Sequence, residues 1–200
     1  MRLEIRQRAA FEASSNALSR VTLLMMLLLC CAGITGAAPD VAVLPEAKLK
    51  AAFLLSFPKY VEWPSAVLPD TNSPIVIAVL GGGGMSDELE KMVAAKTVNG
   101  HPLVIKNLNK DEDGSDACHI LFIGDDELKR APSILQKLGN APVLTVGEDE
   151  GFLSGGGIIN LAKEEKRISL HVNLTSANRV RLKISSKLLG VARVQKENSP

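Results

Sequence analysis

The sequence predicts a single α/β layered domain, with a mixed, mostly parallel sheet flanked by helices and a C-terminal β-hairpin plus helix. Short apolar runs alternate with helical patterns of about 10 to 13 residues, which is typical of strand–helix–strand units. Residues 158–174 change to a period of two around a polar turn, which predicts an antiparallel pair. Apolar residues make up 46% of the 200, enough for one packed core.

The first predicted element is a helix in the segment PEAKLKAAFLLSFPKYVEWP, residues 45–64. Pro45 suits a helix start, and Pro58 should end or kink the helix near Phe57. Its apolar face is predicted to hold Leu49, Phe53, Leu54 and Phe57, opposite Lys48 and Lys50. This aromatic stripe is interpreted first as core. The alternative is a groove for a ligand or a partner helix, since Trp63 and Tyr60 follow directly.

Alternating strands and helices fill the middle of the chain. The predicted strands are 75–80, 103–106, 119–123 and 142–146, and the predicted helices are 87–96 and 127–138. Gly81 to Gly84 connect the first strand to its helix, an arrangement that can cradle a phosphate. However, Gly-Lys-Ser/Thr is missing and Ser86 replaces the last glycine of the dinucleotide fingerprint, so a flexible turn is favoured.

The C-terminal stretch from Gly151 to Val194 predicts a hairpin followed by a helix. Ile158 to Ala162 and Arg167 to Leu174 form its two strands, around a charged turn. An amphipathic helix should follow, capped by Ser185 or Ser186, with Ile184, Leu188, Val191 and Ala192 on its apolar face. Arg179, Arg181 and Lys183 alternate with apolar residues, which would place three cations on one side of an extended segment.

Residues 1–38 have the pattern of a secretory signal peptide, so the mature domain is expected to be 39–200. Four arginines precede an apolar run from Val21 to Cys31, and small residues end at Ala38. The run is shorter than the roughly 20 residues that cross a bilayer, although a retained anchor is the alternative. Cleavage would remove Cys30 and Cys31. Cys118 would then be unpaired and is interpreted as a core residue, with a reactive thiol or intermolecular bridge as the alternative.

No catalytic or metal-binding pattern is present. His101, His119 and His171 fit no zinc spacing, and Gly-x-Ser-x-Gly is missing. The acidic loop 110–116 lacks the register of a calcium loop. We therefore expect no enzyme activity, no metal and no cofactor.

Charge is distributed unevenly along the expected mature chain. Residues 39–162 hold ten Lys and Arg against seventeen Asp and Glu, whereas residues 163–200 hold nine against three. One interpretation is a solvated edge strand whose charges discourage pairing between sheets. The other is a docking face for an acidic partner, or a dimer contact between halves of opposite sign.

Four motifs, in order, resemble the YfiR family. They are KAAFLLSFPKYVEWP, CHILFIG, PVLTV followed by GF and GG, and RI…N…LKISSKLL. The resemblance implies a non-enzymatic periplasmic regulator that binds and represses the periplasmic sensor domain of an inner-membrane diguanylate cyclase, controlling cyclic-di-GMP and biofilm formation. It also implies a homodimer and sequestration by an outer-membrane lipoprotein. Cys118 matches a family cysteine, but without a second mature cysteine no internal disulfide is expected.

The predicted partner- or ligand-binding residues combine aromatic and cationic positions beside glycine turns. They are Phe53, Phe57, Trp63, Phe152, Ile158, Arg167 and His171. A rival hypothesis is a periplasmic small-molecule-binding protein, with an aromatic wall and the glycine loop forming its cleft. An exported hydrolase is a third hypothesis, without a motif to support it.

Overall fold

A computed structural model describes residues 45–195, except for 71, 95, 113, 115–117, 150 and 165–166. The described residues belong to one compact unit. The predicted leader, residues 1–38, and its cleavage position lie outside the described residues. Among the described helices, none is both long and apolar enough to span a bilayer.

Six α-helices and ten strands are described, together with two 3₁₀ segments. The helices are α1 (Glu46–Ser56), α2 (Met85–Val93), α3 (Ala131–Leu138), α4 (Gly151–Ser154), α5 (Leu174–Arg179) and α6 (Ser186–Leu189). The strands are β1 (Val61–Glu62), β2 (Ile75–Leu80), β3 (Thr97–Val98), β4 (His101–Leu108), β5 (Ile120–Ile123), β6 (Leu144–Gly147), β7 (Ile159–Glu164), β8 (Arg167–Asn173), β9 (Lys183–Ile184) and β10 (Arg193–Gln195). The 3₁₀ segments are Phe57–Lys59 and Asp125–Arg130.

Eight strands form one mixed sheet in the order β10-β8-β7-β6-β5-β2-β4-β3. Five of the seven pairings among these described strands are parallel, and β3–β4 and β7–β8 are antiparallel. The last of these is the predicted hairpin, in which Leu161 lies opposite Leu170. A separate two-stranded antiparallel sheet pairs β1 with β9. The α/β class, the mostly parallel sheet and the hairpin are therefore confirmed.

Two apolar clusters hold the helices to the sheet. The larger one joins the sheet to α1, α2, α5 and α6, and the smaller one joins it to α3 and α4. The central strands β2 and β5 are almost completely buried, as expected for parallel strands covered on both faces. Burial of these side chains stabilises the fold by about 25 cal/mol per Å² of apolar surface removed from water.

The buried face of α1 differs from the predicted one. Ala51, Leu54 and Leu55 are buried, whereas Leu49 and Phe53 are only half-buried. Lys50 was expected on the solvent face, but its side chain is only 12% exposed. The ion pairs that Lys50 forms explain this position, because a charged group is tolerated in a buried place when it is paired.

A network of ion pairs fastens α1 to the loops that follow β5 and β6. Lys50 Nζ lies 2.5 Å from both Glu46 Oε1 and Glu148 Oε1. Glu148 also accepts a hydrogen bond from the backbone of Asp125, at 3.1 Å. Lys163 on β7 completes the network with a 2.5 Å contact to Glu46. Three segments that are distant in sequence therefore share one set of charges, and a backbone hydrogen bond joins a fourth segment to them.

The helix predicted after the hairpin is wrong in position and length. α5 begins directly after β8 and is capped by Asn173, whose Oδ1 accepts from Ser176 N at 3.0 Å. Ile184 belongs to β9, and α6 is a single four-residue turn capped by Ser185. Val191, expected on an apolar face, is 76% exposed. The cap was predicted correctly. However, the apolar residues whose spacing predicted one helix belong to a strand and to a separate helical turn.

The predicted helix 127–138 is divided into two parts. Residues Asp125–Arg130 are 3₁₀, and the α-helical part begins at Ala131 with Pro132 in its first turn. Proline has no backbone N–H, so the first turn is the helical position at which it costs least.

Candidate interaction surface

The small β1–β9 sheet brings the start of the domain beside its C-terminal part. Val61 pairs with Ile184 and Glu62 with Lys183. The backbone of Ser185 also donates to the carbonyl of Tyr60, at 2.8 Å. Four exposed cations lie in or within a few residues of these paired segments, and we call them the basic face: Lys59, Arg181, Lys183 and Lys187.

The basic face is weakly neutralised by its neighbours. Lys183 Nζ lies 3.9 Å from Glu62 Oε2, and these side chains are 85% and 77% exposed. An exposed pair at this distance contributes at most about 1 kcal/mol and is screened by salt. The face can therefore attract an acidic surface without first breaking a strong internal pair.

The three alternating cations do not lie along an extended segment, so that prediction is corrected. Arg179 is the last residue of α5, Arg181 is in a turn, and only Lys183 is in a strand. Arg181 adopts a left-handed backbone with φ of 61°. In this conformation an L-residue other than glycine is disfavoured by roughly 1 kcal/mol or more. The turn directs the chain from α5 back to β1.

Three of the predicted site residues belong to the core rather than to an exposed surface. Phe57, Phe152 and Ile158 are 0%, 3% and 2% exposed. Phe152 is enclosed by two glycines, and a Cβ added at Gly147 or Gly157 would lie 2.5 or 2.3 Å from its ring. The glycine turn therefore allows the aromatic ring to be buried, instead of presenting it to a partner.

Two of the predicted aromatic residues, Phe53 and Trp63, are half-buried against the larger apolar cluster. Trp63 meets His119 edge to face, with ring centroids 6.1 Å apart. The indole Nε1 of Trp63 and the Nε2 of His119 are buried without a hydrogen-bond partner. The contact joins the segment after β1 to the start of β5.

The imidazole of His119 is held in its neutral form. Its Nδ1 accepts a hydrogen bond from the backbone of Val76, at 3.1 Å, which places the proton on Nε2. Burial lowers the pKa of His119, and nearby His101 lowers it further. The ring thus accepts a hydrogen bond from the backbone N–H of Val76, near the start of β2.

Arg167 and His171 lie on β8 of the hairpin. His171 Nε2 is 3.2 Å from Ser169 Oγ and 3.5 Å from Glu164 Oε1. Glu164 also pairs with Arg193 on the edge strand, at 2.5 Å. Arg167 is exposed. The seven predicted site residues are consequently divided among the core, α1, the segment after β1 and the hairpin.

Cys118 is packed in the smaller apolar cluster and is 5% exposed. Its thiol donates to the carbonyl of Gly114, at 3.2 Å. Burial raises the pKa of Cys118 to about 11, so the reactive thiolate is rare at neutral pH. These properties are those of a core residue.

The glycine loop after β2 is filled by the chain itself. Gly81 to Gly84 all have positive φ, and Asp126 Oδ1 accepts from Gly82 N at 2.7 Å. The loop lies where the order of the parallel strands reverses, between β2 and β5, the usual ligand crevice of such sheets. A phosphate there would meet a carboxylate, so the turn interpretation fits the structure better than a cradle. No group of metal-binding side chains occurs among the described residues.

Sequence reasoning missed the basic face because its members are brought together by long-range pairing. The uneven charge distribution pointed to the C-terminal residues, but not to Lys59, which lies more than a hundred positions earlier in the chain. Only the register of β1 against β9 places these residues in one region.

Comparison with known proteins assigns the domain to a family. The family model described as YfiR/HmsC-like matches residues 47–193, whereas no curated protein matches the chain. A solved structure of a conserved domain protein from Vibrio cholerae is similar, with a TM-score of 0.51 and 14% identity. The match covers 76% of this chain and 60% of that one, and at this identity it supports the fold alone. Because the family model spans nearly all of the described domain, the chain belongs to the YfiR/HmsC-like family.

Proposed function

We propose that the protein is a periplasmic regulator that binds and represses the periplasmic sensor domain of an inner-membrane diguanylate cyclase. The observation that carries this proposal is the family match over residues 47–193. The YfiR-like family is regulatory and non-catalytic, and its members act on diguanylate cyclase signalling. Repression would lower cyclic-di-GMP and biofilm formation. Export through residues 1–38, homodimer formation and an outer-membrane lipoprotein partner belong to the same proposal.

The basic face is the surface that we assign to the cyclase. Its four cations are exposed, and Glu62 is the carboxylate that lies nearest to Lys183. Complementary charge accelerates encounter and selects the partner, so the sensor domain should present an acidic patch. Arg181 supports the assignment, because strained backbone conformations of this kind cluster at functional positions.

The proposal is tested by capture from the host envelope. The full chain with a C-terminal affinity tag is expressed in its own host, and the detergent-solubilised envelope is passed over the tag resin. We expect recovery of a membrane protein that carries a cytoplasmic diguanylate cyclase domain. The double variant R181E/K187E should recover at least about tenfold less, since several charge contacts are reversed.

The matched control is K129E, which reverses an exposed cation in the 3₁₀ segment before α3, outside the basic face. Equal loss of capture with the control and with the double variant would exclude the basic face. Failure of the unsubstituted protein to capture any cyclase would count against the proposed function itself.

A further inference from the structure

A polar cleft between α3, α4 and α5 forms a second surface with recognisable chemistry. Two cavities of about 300 and about 290 Å³ lie there. A narrow one of about 20 Å³ lies beside them. Arg179 lines all three, so its side chain stands at the centre of the cleft. The volumes are at the lower end of the range for small-molecule sites.

The guanidinium of Arg179 is only weakly engaged by the protein. Its one hydrogen bond among the described residues is a long contact from Nη2 to the carbonyl of Gly156, at 3.4 Å. By contrast, Arg130 and Arg193 each contact a carboxylate, at 3.0 and 2.5 Å. Arg179 therefore retains most of its five donors for a group from outside.

The walls of the cleft complement a hydrophilic anion. None of the described residues that line it is acidic, although residues 39–162 as a whole are rich in Asp and Glu. The two larger cavities are also lined by neutral residues with hydrogen-bonding side chains: Gln136, Asn140, Ser154, Asn173, Thr175, Ser176 and Gln195. A single cation surrounded by amide and hydroxyl side chains is suited to an oxyanion with further polar groups.

The rest of the cleft is preorganised. Asn173 is fixed by two hydrogen bonds, from its Nδ2 to the carbonyl of Leu153 at 3.1 Å and from Ser176 N to its Oδ1 at 3.0 Å. Gly156 has a φ of 98°, and a Cβ there would lie 3.3 Å from Arg179 Nη2. A side chain at this position would therefore crowd the guanidinium. Rigid walls reduce the ordering cost of binding.

We propose that this cleft binds a small, hydrophilic oxyanion, either a carboxylate or a phosphate ester, with Arg179 as its anchor. The usual crevice at the strand-order reversal is filled by Asp126, so the oxyanion site lies on a different part of the fold. Binding of the oxyanion does not depend on the identity of the protein partner. It does give the domain a means to sense a metabolite.

The test is an NMR titration of the ¹⁵N-labelled protein with succinate and, separately, inorganic phosphate, each at constant ionic strength. We expect saturable shifts at the amides of Gly155, Gly156 and Ser176, in the millimolar range or tighter. Shifts with succinate alone identify a carboxylate site, shifts with phosphate alone identify a phosphate site, and shifts with both identify a general oxyanion site.

Two substitutions make the titration decisive. Arg179→Gln should weaken binding at least about tenfold, as expected for loss of a charge-assisted contact. Lys91→Gln removes an exposed cation on α2 that lines none of the three cavities, and it should leave binding unchanged. Because Arg179 is exposed, its variant should retain a folded spectrum. No saturable shift with either probe, or equal affinity of Arg179→Gln and the unsubstituted protein, would overturn the proposal.

Discussion

Arg181 combines a backbone conformation that lowers stability with a cationic side chain on the basic face. Its positive φ places the side chain in a turn between α5 and β9, where glycine would be relaxed. We predict that Arg181→Gly raises the unfolding free energy by about 0.5 to 1 kcal/mol, because the left-handed strain is removed. Urea unfolding measures the gain.

The same variant should bind the cyclase sensor domain less tightly, since one cation of the basic face is lost. A variant that is more stable and yet binds as well as the unsubstituted protein would show that neither the strained backbone nor the cation of Arg181 is needed for binding. A variant that is less stable would contradict the strain argument itself.

His119 makes the stability of the domain depend on pH. Burial lowers its pKa below the ordinary value of 6.5, so the folded state holds it neutral while the unfolded chain takes up a proton. The unfolded state binds more protons as pH falls through 6.5 toward the folded value, and the unfolding free energy decreases over that interval. Protonation of Nδ1 would also remove the hydrogen bond that it accepts from the backbone of Val76.

We predict that His119→Asn, which keeps an acceptor near Val76, loses less stability than the unsubstituted protein between about pH 7.5 and about pH 5. Denaturant unfolding at both pH values gives the comparison, and other titrating groups cancel in the difference. Parallel pH profiles for the two proteins would show that His119 is not responsible.

At the scale of elements, Lys50 links α1 to the loop after β6, and Glu148 in that loop accepts a hydrogen bond from the loop after β5. Burial by itself lowers the pKa of Lys50, but its hydrogen bonds to Glu148 and Glu46 outweigh burial and the pKa is raised. The Glu148 side chain is only 8% exposed. Removal of Lys50 would leave that carboxylate buried and unpaired.

We predict that Lys50→Met lowers the unfolding free energy by about 3 kcal/mol, the usual cost of a buried pair that loses one partner. The exposed Lys48 on the same helix provides the control, and Lys48→Met should change stability by less than about 0.5 kcal/mol. Similar values for the two variants, measured by chemical unfolding, would refute a structural role for the network.

Local sequence patterns predicted some elements correctly and others incorrectly. Strands β2, β5 and β6 were predictable because their apolar runs are bounded by turns and helices. The region after β8 was not, because Arg179 to Ile184 has a period of two although only its last two residues form a strand. There, the Asn173 cap and the pairing with β1 override the local pattern.

The candidate surfaces were less predictable than the fold. Aromatic and glycine positions marked Phe57, Phe152 and Ile158 as candidates, but packing places all three in the core. The basic face depends on the β1–β9 register, and the cleft depends on the packing of α3, α4 and α5. Neither arrangement is local in sequence, so composition could indicate charge but not position.

For the whole molecule, the proposed function is repression of a diguanylate cyclase. An acidic N-terminal part and a basic C-terminal part fold into one layered domain, and the exposed cations gather beside β1. Steering by such a face is screened beyond about 8 Å at physiological ionic strength, so it acts at close approach to the partner.

The most direct test is the cyclic-di-GMP content of host cells that lack the protein, measured by mass spectrometry of nucleotide extracts. Repression predicts a rise of several-fold on deletion, return to the parental level when the unsubstituted gene is restored, and no return with R181E/K187E. Unchanged cyclic-di-GMP after deletion, in cells that express the cyclase, would rule out repression by this protein.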